Sequence, residues 1–357
     1  MKVRPARLVE ILPEAGVDLL LVTAPFNVRY LTGYTGSNGI VLLGERLRIF
    51  ITDFRYVEQA AEEVDPSFER RRAPLELIES VAEVLPGGAL RLAFEDAHVS
   101  VRQHARLREL LPDDVELVGT EELVERLRMV KEPEEVEAIR AASAVADAAF
   151  EQLLSEGLVG RTEREVALAL EAGMRERGAQ RASFETIVAS GPRGALPHAQ
   201  ARDVTIERGE LVVIDWGAEL DGYCSDCTRT IATNGLGDQG REVYELVRTA
   251  QLAGLEAVAA GRSAREVDGV AREVIENGGY GERFGHGLGH GVGLEVHERP
   301  RLSQRSRDAL EAGNVVTVEP GVYLPGELGV RIEDLVVVTE QGCEILTSSP
   351  KELRTVQ

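Results

Sequence analysis

Up to about residue 125 the chain alternates short apolar runs with stretches that carry apolar residues at helical spacing. Runs at 18–22, 39–43 and 47–52, rich in Leu, Ile and Val, read as strands. Helices are predicted over 54–63, 75–84 and 101–111, with strands near 92–94 and 115–118. That alternation predicts an α/β module. Near Arg126 the pattern changes. Lys131-Glu132-Pro133-Glu134-Glu135 places proline at a first helical position and acids in the first turn, a strong helix start. Val136, Ile139, Ala146, Phe150 and Leu153 follow at helical spacing. The boundary is placed between Leu123 and Lys131, giving an N-terminal α/β domain over 1–125 and a second domain over 126–357.

The second part contains an echo. Gly160-Arg161-Thr162-Glu163-Arg164-Glu165-Val166 recurs as Gly261-Arg262-Ser263-Ala264-Arg265-Glu266-Val267. Thr162 with Glu165, and Ser263 with Glu266, are predicted capping boxes, each opening a helix. Two helix starts that converged and a duplicated half-domain both fit this pattern.

Composition narrows the functional classes. The 357 residues carry 40 Lys plus Arg against 61 Asp plus Glu, a formal charge of −21. Such a field repels phosphate backbones and anionic lipid, which argues against nucleic acid and membrane surfaces as partners. Only Lys2, Lys131 and Lys351 among the bases are lysine. Three cysteines make no disulfide framework and the N-terminus lacks an apolar signal region, so a cytoplasmic location is expected. The longest apolar runs fall far short of the roughly 20 residues that span a bilayer.

Two motifs mimic known sites. Gly235-Leu236-Gly237-Asp238-Gln239-Gly240 fits a dinucleotide fingerprint, but a helix predicted over 241–260 leaves no room for the second strand. Asp238 would also oppose a pyrophosphate. Cys224-Ser225-Asp226-Cys227 has C-x-x-C spacing on a predicted strand, so its thiols point to opposite faces. His98 and His104 fall in a charged helical stretch and read as surface residues.

The chemistry lies in acids that end apolar runs. Leu211 to Trp216 ends in Asp215-Trp216, Asp221-Gly222 is a hairpin turn, and 223–230 is the predicted return strand. Counting back from that turn sets Gly217 against Asp226, so Asp215 and Asp226 become diagonal neighbours on one face. Two buried carboxylates side by side repel, and a bridging cation relieves them. A second pair follows: Glu319 ends the run 315–318, and 330–338 is predicted as a strand with Arg331 and Glu333 on one face. Between the hairpins, glycine occupies every second position from 285 to 293, with His286 and His290 interleaved, a pattern that lets backbone and ligand approach closely. Four of the six histidines fall between 198 and 297. Four carboxylates and an imidazole form a hard, oxygen-rich set suited to two divalent ions, and their chemistry would be hydrolysis.

The set Asp215, Asp226, His290, Glu319 and Glu333 sits in I-D-W-G, Y-C-S-D-C-T-R-T, G-H-G-L-G-H-G-V-G-L-E-V-H-E, V-E-P-G-V-Y and V-R-I-E-D. It resembles the pita-bread metallopeptidases, and among them the Xaa-Pro peptidases, prolidase and aminopeptidase P. Asn27-Val28-Arg29-Tyr30-Leu31-Thr32-Gly33 resembles the creatinase-type N-terminal domain of that group. The resemblance implies an α+β catalytic domain with internal pseudo-twofold symmetry behind the α/β domain. It implies that Asp215 binds one metal, that His290 and Glu319 bind the other, and that Asp226 and Glu333 bridge both. Mn²⁺ or Co²⁺ is expected, with Zn²⁺ compatible. His198, His297 and Glu319 would be catalytic, Glu319 as proton shuttle; His286, Arg301, Tyr323 and Arg331 would serve substrate binding or support. The implied substrates are short proline-containing peptides, and a homodimer is implied. Arg301 favours a dipeptidase. An Xaa-Pro aminopeptidase is the alternative, and a non-catalytic peptide-binding module the rival from another class.

Overall fold

The computed structural model describes residues 3–357. The chain divides into two compact units, Met1–Arg128 and Met129–Gln357. In the first, six strands form one mixed sheet in the order Glu69–Arg72, Arg48–Thr52, Gly39–Gly44, Leu19–Val22, Leu90–Glu95, Val115–Thr120. Its central strands bury nearly every residue, as their unbroken apolar runs require. The edge strand Glu69–Arg72 was not foreseen: Glu-Arg-Arg-Arg is exposed throughout and shows no apolar alternation. The helices Val3–Ile11 and Pro25–Thr32 were also not foreseen, and the 27–33 segment singled out above lies in the second.

The second unit opens with Pro133–Glu156, proline at its first turn and Glu132 and Glu135 closing a capping box. Glu163–Glu176, Ile187–Ser190, Leu211–Trp216 and Cys227–Thr233 complete one half. Asp238–Ala257, Ala264–Asn277, Gly289–Gly291, Val315–Val318 and Asp334–Thr339 repeat that order in the other. The helix at Asp238 begins three residues earlier than expected, on the false dinucleotide fingerprint.

Matching hydrogen bonds show the repeat directly. Gly160 N–H donates to Ile206 O and Gly261 N–H to Leu310 O; Glu163 N–H donates to Val204 O and Ala264 N–H to Asp308 O. Ile206 N–H returns to Arg161 O, and Leu310 N–H to Arg262 O. Internal duplication is therefore the correct reading of the echo, with one difference. Thr162 and Glu165 form their capping box, whereas Ser263 makes no side-chain cap. The bridge from Ser263 to Ala309, the counterpart of that from Thr162 to Thr205, holds this helix start through backbone alone.

Each half has its own core. Trp216 is fully buried in the first, stacked on Phe150 at 3.9 Å, and its indole N–H donates to Ala146 O at 3.1 Å. Cys224 and Cys227 are free, buried, and packed into different apolar clusters, as opposite strand faces demand. Among the described residues no helix is long and apolar enough to cross a membrane.

Candidate metal centre

The predicted hairpin register holds: Leu220 pairs with Tyr223, Cys227 with Trp216 and Thr228 with Asp215. The return strand is broken at Ser225-Asp226, between Tyr223–Cys224 and Cys227–Thr233. Ser225 fills that break, its backbone N–H donating to Ala218 O and its Oγ accepting Ala218 N–H, both at 2.9 Å. The run 330–338 is likewise not one strand. Leu328–Arg331 belongs to a two-stranded sheet and Asp334–Thr339 to the five-stranded one. Glu333 lies in the step between them, where its N–H donates across to Thr228 O at 3.0 Å and its Oε2 accepts the Thr228 hydroxyl at 2.7 Å. Acids from both halves thereby meet on one floor.

Asp226, His290 and Glu333, all buried, offer donor atoms within 4.8 Å of one another. His290 Nε2 is 3.6 Å from Asp226 Oδ2 and 3.3 Å from Glu319 Oε1. Its Nδ1 contacts Gly291 O at 3.1 Å. A carbonyl can only accept, so Nδ1 carries a proton, and Nε2 is turned toward two carboxylates. Asp215 is gripped by Arg331 at 2.6 Å through Oδ2, while its Oδ1 is buried without a hydrogen bond. Burial, reinforced by the neighbouring acids, pushes Asp226 and Glu333 well above the usual carboxylate range. An orphaned carboxylate oxygen, two mutually repelled acids and an imidazole nitrogen clustered with them are what cations would resolve, so this donor set fits divalent metal.

A cleft of about 610 Å³ opens onto this floor. His198 and His297 line it, as do His286 and Arg301. Burial first, then the nearby His290 and Arg301, lowers His297 to about 4, which leaves a neutral imidazole at pH 7. Arg301 pairs across strands with His290, and no hydrogen bond or ion pair engages its guanidinium. Arg331, which also lines the cleft, and Tyr323 are engaged with other side chains. Arg331 spends its donors on Asp215, Tyr323, Thr228 and Pro197 O. Tyr323 accepts from Arg331 and contacts His286 Nε2 at 2.9 Å, so it props the His286 ring from behind and is absent from the cleft lining. Among the alternating glycines, backbone approaches closely, as expected. A Cβ at Gly289 would collide with Thr317 O, so it is neighbouring backbone that needs this bare position.

Sequence reasoning missed the residues that hold the loops. Glu163, buried in the first half, accepts from Ser190 N–H, Arg193 and Arg202 N–H, and so fixes the segment bearing His198. Asp268 plays the same part in the second half: it takes Leu288 N–H and pairs with Arg272, which donates to Phe284 O and His286 O. The echo motif pointed at Glu163 only as part of a helix start.

The model of metallopeptidase family M24 matches residues 137–340, and that of the creatinase/prolidase N-terminal domain matches 4–130. The chain belongs to metallopeptidase family M24. It is 38% identical to the Xaa-Pro dipeptidase of Pyrococcus furiosus over 99% of this chain and 100% of that protein. Among solved structures it is similar to an Xaa-Pro dipeptidase from Bacillus anthracis, at 44% identity and TM-score 0.95, covering 99% of each chain. It is also similar to an X-Pro aminopeptidase from Thermotoga maritima, at 41% identity and TM-score 0.90, covering 99% of this chain and 100% of that one.

Proposed function

We propose that this chain hydrolyses the Xaa-Pro bond of short peptides, Xaa-Pro dipeptides foremost, using two divalent ions, Mn²⁺ or Co²⁺, held by Asp215, Asp226, His290, Glu319 and Glu333. The catalytic domain is 126–357, behind an N-terminal domain over 1–125, and the protein acts as a cytoplasmic homodimer. The observation that carries this reading is the orphaned Asp215 oxygen together with the clustered donors of Asp226, His290 and Glu333, at the foot of a cleft lined by an arginine whose guanidinium has no partner among the described residues. Bound there, the ions supply Lewis acidity and lower the pKa of water at the scissile carbonyl.

The remaining work falls to side chains. An Xaa-Pro bond has no N–H and a fixed φ, so the chain must recognise it by the carbonyl and the proline carboxylate. Arg301 takes the carboxylate as a charge-assisted pair. His198 and His297 hydrogen-bond the carbonyl oxygen as negative charge develops on it. Glu319 receives the proton of the attacking water and passes it to the proline nitrogen, which must leave as an amine. Arg331 holds Asp215, and Tyr323 holds His286, so neither needs to touch substrate.

The similar structures include both a dipeptidase and an aminopeptidase. The unpaired guanidinium of Arg301 favours the dipeptidase, since a carboxylate is present there only when proline is the last residue. Comparing kcat/KM for an Xaa-Pro dipeptide and the matching Xaa-Pro-Xaa tripeptide, with Mn²⁺ present, decides between them. The dipeptide should lead; a clear tripeptide preference would make the enzyme an aminopeptidase.

A further inference from the structure

Only three of the 40 basic residues are lysine, and two of these, Lys131 and Lys351, contact buried carboxylates. Lys131 Nζ donates to Glu298 Oε2 at 3.2 Å, the two side chains being 1% and 6% exposed. Lys131 stands at the start of the second unit, where its backbone N–H donates to Gly313 O and its ammonium reaches Met129 O at 3.5 Å. Glu298 follows His297 directly. Its Oε1 accepts Glu295 N–H at 3.0 Å, and a Cβ at Gly293 would lie 2.8 Å from both carboxylate oxygens, so only glycine leaves room for them. The loop bearing His297 is thus wound around one carboxylate, and that carboxylate is tied to the entry segment of the unit.

The imidazole of His297 has no such tie. Its ring packs edge-on against His290 at 4.4 Å, and among the described residues no hydrogen bond or ion pair fixes it. Its place in the cleft is therefore set by its backbone. Resting on the function proposed above, we propose that Lys131 and Glu298 are positioning residues: their buried ion pair fixes the loop so that His297 meets the substrate carbonyl. A compact ammonium fits between Glu298 and Met129 O, whereas a planar guanidinium is wider, which accounts for a lysine here in a chain with only three.

Removing one partner alone would strand a buried charge and unfold the site, so the test uses K131M/E298Q. The amide introduced by E298Q still accepts Glu295 N–H, and no buried charge remains. With Mn²⁺ and an Xaa-Pro dipeptide, kcat should fall about 10- to 100-fold, KM should barely change and Tm should stay near that of the wild type. In an H297A background the same pair of substitutions should lower kcat no further. Wild-type kcat in K131M/E298Q, a full multiplicative loss on top of H297A, or a fall in Tm together with a rise in KM would overturn the proposal. A wild type that cleaves no Xaa-Pro peptide would instead overturn the function on which it rests.

Discussion

Asp215, Asp226 and Glu333 could not share a buried floor as free anions, because burial and mutual repulsion both penalise their charge. Cations let them ionise together, and Asp226 sits closest to the centre of that balance, within reach of both His290 and Glu333. Asp226→Asn keeps the shape and removes the charge. It should lower both bound metal, read by elemental analysis, and kcat/KM, the latter by more than about 100-fold, the upper end of the cost of losing a partner outside the ligand set. Arg301→Met probes a different role. Losing a charge-assisted pair to the proline carboxylate should raise KM for dipeptides about 10- to 100-fold, with kcat little changed. Candidate ligands were legible because Asp215 and Glu319 end apolar runs, His290 interrupts a glycine pattern, the hairpin turn sets Asp226 beside Asp215, and Glu333 shares a predicted strand face with Arg331. Lys131, Glu163 and Asp268 were not, since a buried ion pair looks in sequence like any charged residue on a helix; only the scarcity of lysine hinted at Lys131.

At the scale of elements, the Asp221-Gly222 turn fixed a register that the structure keeps to the residue. What the pattern could not convey is where a strand stops. Residues 330–338 alternate and bury like one strand, yet two sheets divide them, because Glu333 N–H finds its acceptor in Thr228 of the other half. Glu69–Arg72 escaped for the opposite reason, being an edge with no buried face. Ser263 matched the capping-box pattern, but its local sequence could not show that a bridge to Ala309 would anchor the helix start. Trp216 holds the helix Pro133–Glu156 to the strand that delivers Asp215. Trp216→Ala should destabilise the protein by about 3–5 kcal/mol in urea unfolding, the cost of a large buried ring.

For the molecule as a whole, duplication explains how two halves supply one site. Asp215 lies on Leu211–Trp216 and Glu319 just past the end of the corresponding strand Val315–Val318, with the same separation along the chain as Ile206 and Leu310, which make corresponding hydrogen bonds. Each half brings one such acid to the floor and pins a histidine-bearing loop with a buried carboxylate, Glu163 or Asp268. The net charge of −21 first spoke only against polyanionic partners; four of the 61 acids, Asp215, Asp226, Glu319 and Glu333, line the cleft where cations belong. Metal bound to the folded state alone must stabilise it, by about 2.7 kcal/mol at a free concentration 100 times Kd. Chelation should therefore lower Tm, and Mn²⁺ should restore it. The same preparation gives the most direct test of the central claim. Release of proline from an Xaa-Pro dipeptide is measured in chelator-treated protein before and after Mn²⁺ is added, beside a matched Xaa-Ala dipeptide. Negligible hydrolysis without metal, recovery with about two ions per chain, and clear preference for the proline substrate are predicted. Full activity in metal-free protein, or equal cleavage of both dipeptides, would contradict it.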